Sequence, residues 1–314
     1  MNPSPFDRRA IPASAHVGDW HAGDGVRLRR FDWPVDGLRR GSILFQGGRG
    51  DMFEKYLEAL AHWHGQGCGI TSFDWRGQGG SDRVSPAGDC GHIDDFANYI
   101  GDLQVFAAEW QAATPGPHVI IGHSMGGHLV LRALAEGAVT PDAAVLIAPM
   151  LGLKSPFGAS WGERIARLMG GLGDRARPAW KANERPYTVN SRESLLTHDP
   201  DRYADELWWQ GRDPRIVTGP PSWNWVIEAF RSTRELRANP ALANLRVPVL
   251  ALVAETDGLV DARAALATLA RLPDARVMRF GKESAHEILR EVDAVRDRAL
   301  DEIDAFLRAR APHP

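Results

Sequence analysis

Ile120-Ile121-Gly122-His123-Ser124-Met125-Gly126-Gly127-His128 is the stretch on which the reading of this chain turns. An apolar run, Val119-Ile120-Ile121, enters it, and a helix-compatible run, Leu129-Val130-Leu131-Arg132-Ala133-Leu134, leaves it. Gly-x-Ser-x-Gly between a buried strand and a helix is the sequence form of a nucleophile elbow. So tight a turn leaves almost no room for a side chain two residues before or after the serine. Gly122 and Gly126 supply that room. The spacing predicts that Ser124 stands at the C-terminal edge of a strand, facing the first N–H groups of the next helix.

Outward from the elbow, continuous apolar runs alternate with helical stretches. Ser42-Ile43-Leu44-Phe45, the run from Gly69 to Trp75, Ala143 to Pro149, Val247 to Val253 and Ala275 to Phe280 all read as strands. Phe96, Ile100, Leu103 and Phe106 fall on one face of a helix that ends before Pro115. Further helices are expected over about 262–272 and 292–310. Strands that are apolar throughout and alternate with helices form a mostly parallel, doubly wound α/β sheet covered on both faces. Val26 to Trp33 alternates apolar and polar as a half-exposed strand does, and residues up to about 24 read as an irregular leader.

The alternation breaks between about 151 and 236. No strand-like run occurs there, and six of the eleven tryptophans do: Trp161, Trp180, Trp208, Trp209, Trp223 and Trp225. The expected organisation is a core formed by 1–150 and 237–314, with a helical cap, 151–236, inserted between two strands. Such a cap would lie over the C-terminal edge of the sheet, where open α/β sheets bind ligands.

With 44% hydrophobic and 25% charged residues among 314, the composition is that of an ordinary soluble globular chain. A net charge of −3 gives no electrostatic footprint for nucleic acid. Cys68 and Cys90 cannot build a disulfide framework, and neither lies in a metal-ligand spacing. The first residues contain no apolar signal region, and no run reaches the ~18 apolar residues of a membrane span. A cytoplasmic location is expected, with no metal, no organic cofactor and no obligate protein partner.

A serine hydroxyl is a poor nucleophile until a base takes its proton and a third group fixes that base. With the nucleophile on such an elbow, acid and histidine follow it in that order, in loops after later strands. The run ending at Val253 opens into Ala254-Glu255-Thr256-Asp257-Gly258-Leu259-Val260-Asp261, and the run ending at Phe280 opens into a loop containing His286. His286 is the one histidine between the 151–236 stretch and the tail residue His313. Asp257, Asp261 and Glu255 compete for the acid. Asp257 is favoured, since Asp261 is better placed to cap the helix beginning at Ala262. Two N–H donors must hold the oxyanion: the amide of Met125, and one from the loop Gly47-Gly48-Arg49, where Arg49 is chosen with Gly48 as the alternative. Gly47, His123, Trp161, Trp223 and Trp225 are candidate substrate contacts, although His123, like His128, also suits a packing role. Asp74, Arg76 and Asp82 are expected to pin a loop.

Together these residues resemble the serine-hydrolase branch of the α/β-hydrolase superfamily, especially its lysophospholipase (L2-like) and monoacylglycerol-lipase group. The resemblance rests on Gly122-His123-Ser124-Met125-Gly126-Gly127, Asp74-Trp75-Arg76-Gly77-Gln78-Gly79-Gly80-Ser81, Asp95-Phe96 with Tyr99 and Asp102-Leu103, and His286-Glu287-Ile288-Leu289. It extends from roughly Arg40 to the C-terminus. It implies the α/β-hydrolase fold and hydrolysis of a small-molecule lipid ester, lysophospholipid or monoacylglycerol, through an acyl-enzyme. One departure is visible: monoacylglycerol lipases have His-Gly in the oxyanion loop, whereas this chain has Gly47-Gly48. Gly48-Arg49 and Phe53-Glu54-Lys55-Tyr56 look more like the bacterial L2 group. Ser124 separates the chain from the dehalogenase branch, which uses aspartate in that place.

Two rivals share the scaffold: a peptidase or amidase, and a non-catalytic binding protein that retains the three residues. A peptidase reading a free amino terminus needs acids near Ser124, for which Glu184, Glu193, Asp205 and Glu206 are available. Between 160 and 169, Trp161, Ile165, Leu168 and Met169 share one helical face, with Arg164 and Arg167 at its margin. Arg175, Arg177, Lys181 and Arg185 follow. An amphipathic basic helix of this kind suits transient contact with an anionic membrane surface, and equally a helix packed on the sheet with a solvated basic face.

Overall fold

The computed structural model describes residues 6–37, 40–86, 88–155, 159–180 and 192–312. Its centre is one eight-stranded sheet. The strands are β1 (His16–His21), β2 (Arg27–Trp33), β3 (Gly41–Gln46), β4 (Cys68–Phe73), β5 (His118–His123), β6 (Ala143–Ile147), β7 (Val249–Ala254) and β8 (Ala275–Phe280). They lie in the order β1-β2-β4-β3-β5-β6-β7-β8. β1 and β2 run antiparallel to their neighbours, and β4, β3 and β5 to β8 are mutually parallel. β1 replaces part of the leader that the sequence suggests. Only Trp20 in it is buried, so an edge strand this polar gives no alternating signal.

Period-two alternation explains why the middle strands are apolar throughout. Leu44, Ile120, Leu146 and Ala251 face one core, and Ile43, Ile121, Val145 and Leu250 face the other. Around these cores lie α1 (Leu57–Gly65), α2 (Phe96–Ala113), α3 (Met125–Ala135), α4 (Ala159–Gly170), α5 (Arg192–Leu196), α6 (Pro200–Arg212), α7 (Trp223–Ala238), α8 (Ala262–Leu269) and α9 (Asp293–Arg310). Residues of α2, α3, α7 and α8 belong to the first core and residues of α1 and α9 to the second. Between β6 and β7 the described residues form α4 to α7 with isolated bridges and no strand.

β3 lies between β4 and β5, and the helices that follow β3 and β5 pack on opposite faces. The loops leaving these two strands therefore diverge and open a crevice at the C-terminal edge. Ser124 and the Gly47-Gly48-Arg49 loop stand on its two sides.

Candidate active site

β5 ends at His123, and Ser124 turns the chain at φ 52° and ψ −114° into α3. A non-glycine residue at positive φ costs on the order of 1–3 kcal/mol and persists only where its surroundings enforce it. Here they do. The Ser124 N–H donates to Ile147 O at 2.9 Å, and its carbonyl accepts from His128 N and Met150 N. A β-carbon on Gly126 would stand within 2.5 Å of Gly47 O and closer still to Gln46 O. One on Gly122 would stand 2.7 Å from the Gly126 backbone. Both glycines exist because backbone passes where a side chain would be.

The Ser124 hydroxyl lies 2.8 Å from His286 Nε2, and His286 Nδ1 lies 2.6 Å from Asp257 Oδ2. The other Asp257 oxygen accepts from the amides of Leu259 (2.7 Å) and Val260 (3.1 Å), which fixes the carboxylate's rotation. Of the competing acids, Asp261 caps α8 through the amides of Arg263 and Ala264, and Glu255 pairs with Arg279. Burial alone would push the His286 imidazolium pKa down, but the facing Asp257 carboxylate, with Glu287 and Asp51 behind it, raises it. Burial would likewise raise Asp257, and the His286 charge and hydrogen bond with the two amides hold it low instead.

The loop after β3 brings Gly48 so close that a β-carbon there would stand 2.9 Å from Ser124 Cβ. Its N–H donates to Asp51 Oδ2 at 2.6 Å. Gly48, the alternative oxyanion donor, is thus corrected: its amide is committed to Asp51. Met125 opens α3, where the first N–H groups have no partner within the helix. Gly47 is one strand-end behind, its carbonyl accepting from Trp75 Nε1 at 2.9 Å.

Ser124, His286, Gly48 and Arg49 line one side of a cavity of about 150 Å³, and Met150, Leu153, Leu259 and Val260 line its apolar floor. Trp180 and Trp225 close it from the stretch between β6 and β7. Two candidate substrate contacts are corrected. Trp161 is 59% exposed on α4, under the guanidinium of Arg164, and Trp223 packs against Arg177; neither lines the cavity. Trp180, not singled out in the sequence, does. A larger cleft of about 560 Å³ opens elsewhere, beside Arg27, Arg83 and Val217. The one hydroxyl among its lining residues, Ser81, donates to Asp74 O, so it holds no nucleophile–base pair.

His123 is buried beneath the site, with Nδ1 2.8 Å from the Tyr56 hydroxyl and 3.1 Å from Asp51 Oδ2. It reaches the cavity wall but belongs to a buried charged cluster. Lys55 Nζ donates to Asp51 and Glu287 at 2.6 Å each and lies 3.3 Å from Glu206. Arg290 joins Glu287 to Glu206, and Arg192 donates to Glu206. This cluster has no sequence signal. His128 is a core histidine: burial holds its pKa near 3, so it stays neutral against the Ser232 hydroxyl. Asp74 and Arg76 pin loops, Asp74 through Arg29 and Gly80 N and Arg76 through Asp24 and Asp102; Asp82 joins that loop to Arg27 on β2. Among the described residues no three His, Cys, Asp or Glu side chains are grouped so as to hold a metal ion, and no helix is long and apolar enough to cross a membrane.

A parallel sheet that delivers a serine on a strand–helix elbow, with an aspartate and a histidine from later strand ends, is the α/β-hydrolase fold. Residues 38–293 match the family described as serine aminopeptidase, S33, and the chain belongs to that family. It is 33% identical over 284 residues to lysophospholipase L2 of Escherichia coli strain K12, covering 84% of this chain and 80% of that one. It is 25% identical over 290 residues to human monoglyceride lipase, covering 91% and 88%. A crystal structure of a soluble variant of the Saccharomyces cerevisiae monoglyceride lipase superposes with a TM-score of 0.77 over 98% of this chain and 99% of that one, at 19% identity.

Proposed function

We propose that the chain is a serine carboxylic ester hydrolase that cleaves single-chain lipid esters, lysophospholipid or monoacylglycerol, through an acyl-enzyme. The observation that carries this reading is the relay Ser124–His286–Asp257, at 2.8 and 2.6 Å, opening on a cavity whose floor, Met150, Leu153, Leu259 and Val260, is apolar. His286 Nε2 takes the hydroxyl proton as Ser124 Oγ attacks the ester carbonyl carbon. The negative oxygen that forms is held by the amides of Met125 and Arg49. The same proton passes to the leaving alcohol oxygen as the ester C–O bond breaks, leaving the acyl group on Ser124. Water then attacks the acyl carbon as His286 takes one of its protons, the bond from that carbon to Ser124 Oγ breaks, and His286 returns the proton to Oγ as the fatty acid departs. Asp257 keeps Nδ1 protonated so that Nε2 is the basic nitrogen.

The stretch 151–236 serves as the cap over this site. Trp180 and Trp225 wall the cavity, and the carbonyls of Leu195 and Leu196 on α5 accept from the amides of His286 and Glu287. Ester hydrolysis is favoured over aminopeptidase action because the acids that line the cavity, Asp51 and Glu287, are already paired with Lys55 and Arg290, and Glu193, half-buried on α5, is not among the lining residues. Glu206 is held by Lys55, Arg192 and Arg290, and Asp205 by Arg8 and Arg9. Glu184 lies outside the described residues. The exposed apolar residues of α4, Trp161, Ile165, Leu168 and Met169, beside Arg164 and Arg167, support transient contact with an anionic lipid surface. Lys181 and Arg185 of that basic run lie outside the described residues. The two cysteines, both unpaired, support a cytoplasmic location.

Fatty-acid release from lysophosphatidylcholine, monoacylglycerol and short-chain p-nitrophenyl esters tests the reading. Ser124→Ala is expected to lower kcat at least ~10³-fold on every substrate cleaved and to abolish labelling by a fluorophosphonate. Equal turnover by Ser124→Ala, or a protein inert on all three classes, overturns it.

A further inference from the structure

The loop that approaches Ser124 from β3 is held by a buried carboxylate. Asp51 Oδ2 accepts from Gly48 N–H at 2.6 Å, and Asp51 N–H returns to Gly48 O at 3.4 Å, so the turn from 48 to 51 is closed from both ends. One residue further, Gly50 N–H donates to Gln78 Oε1 at 2.5 Å. Arg49, whose amide the proposed chemistry requires, lies between these two fixed amides. Asp51 is itself over-determined: Tyr56 donates to Oδ2 at 2.9 Å, His123 Nδ1 is 3.1 Å away, and Lys55 donates to Oδ1 at 2.6 Å. Lys55 then donates to Glu287, the neighbour of His286.

Burying so many charges is costly, and a hydrophobic cluster of the same volume would usually serve stability as well or better. What the ionic cluster supplies is direction. Three acids, Asp51, Glu206 and Glu287, face three cations, Lys55, Arg192 and Arg290, so the cluster is neutral overall. Its members join the loop after β3, the loop holding His286, and helices α5 and α6. An oxyanion donor is effective only where it is already aimed at the oxygen that will become negative.

Resting on the reading of Ser124 as nucleophile, we infer that Asp51 is the positioning residue of the oxyanion loop: it anchors Gly48 N–H so that the next amide, Arg49 N–H, faces the reacting carbonyl oxygen. Asp51 stands in the cavity wall, where Gly48, Tyr56 and Lys55 already take its two oxygens. Its effect passes through the peptide it fixes.

Two double variants isolate the anchor. Asp51→Asn/Lys55→Met and Asp51→Ala/Lys55→Met both remove one acid and one cation, leaving the cluster neutral, and only the first keeps an oxygen to accept from Gly48. The Ala pair is expected to lose ~10–100-fold in kcat relative to the Asn pair, with KM unchanged within about twofold. Affinity for an alkyl boronic acid, which forms a tetrahedral anion on the serine, should fall in parallel. Equal kcat in the two pairs, or a loss confined to KM, overturns the inference. Should the Ala pair fail to fold, Asp51→Asn/Lys55→Met and Tyr56→Phe, which keep an acceptor for Gly48, must both hold kcat within about threefold of the unaltered protein. A larger loss in either refutes the anchor. If Ser124→Ala is as active as the unaltered protein, the hydrolase reading fails; if it is inert while the two pairs match, only the role of Asp51 fails.

Discussion

Asp257→Asn probes the relay with almost no change of shape, and the structure dictates what it does. One carboxylate oxygen accepts from the amides of Leu259 and Val260, and an asparagine can meet those two donors only with its carbonyl oxygen. Its NH₂ group then occupies the position 2.6 Å from His286 Nδ1. Two donors cannot face each other, so Nδ1 must become the acceptor and the proton moves to Nε2. That nitrogen lies 2.8 Å from the Ser124 hydroxyl and can no longer take its proton. A wrong tautomer in an intact relay costs ~10⁴ in kcat, or about 5.4 kcal/mol at 1.36 kcal/mol per tenfold. Asp257 does not line the cavity, so KM should stay within about twofold. The same pair sets the pH profile. Neutral His286 is the active base and its pKa is raised, so kcat/KM should fall as pH drops through a midpoint above the ordinary ~6.5. Without the carboxylate, that acid limb should move to lower pH. Steady-state hydrolysis of a p-nitrophenyl ester from about pH 5 to 9 measures all three quantities. A variant within tenfold of the unaltered enzyme across that range, or an unmoved acid limb, refutes the relay.

Gly126→Ala places a methyl group against the carbonyls of Gln46 and Gly47, which are backbone and cannot step aside. A loss of about 1–3 kcal/mol or more is expected, read as a melting point several degrees lower; an unchanged melting point contradicts the packing at the elbow. On α4, Trp161→Gln/Leu168→Gln alters residues 59% and 67% exposed, so stability should change by no more than ~0.5 kcal/mol per site. Sedimentation with anionic liposomes at low salt should fall in that variant, while turnover of a water-soluble ester is unchanged. Absence of liposome binding by the unaltered protein removes the membrane contact.

What could be read from the sequence was short-range or repetitive. The elbow announces itself because its glycines are forced by backbone contacts within a few residues of Ser124. The parallel sheet announces itself because strands buried on both faces must be apolar at every position. His286 and Asp257 follow from position alone, each in the first loop after a strand, with Asp261 recognisable as a helix cap from the residues beside it. The edge strand β1 escaped because an exposed strand need obey no pattern. Trp161 and Trp223 were mistaken for site residues for a related reason. Tryptophans in a helical stretch mark an apolar surface, but which of them faces the cavity depends on helix rotation and on the path of the irregular segments between helices; among the described residues Trp225 on α7 and Trp180, in the irregular segment after α4, do.

The charged cluster was illegible for a deeper reason. Lys55, Glu206, Glu287 and Arg290 read as solvated surface, since such residues are almost never buried unless paired. Their pairing joins positions 55, 206, 287 and 290, which no local window connects. Burial makes each ion dependent on the others. Removing Lys55 alone would leave Asp51 and Glu287 facing each other with one cation fewer, at a cost of about 3–5 kcal/mol, whereas removing it together with the Asp51 charge leaves the remainder balanced. Lys55→Met should therefore be the more destabilised protein, and Asp51→Asn/Lys55→Met the less, although the latter carries more substitutions. That inversion distinguishes a cooperative ionic cluster from a set of independent contacts, which would make the double variant the weaker of the two.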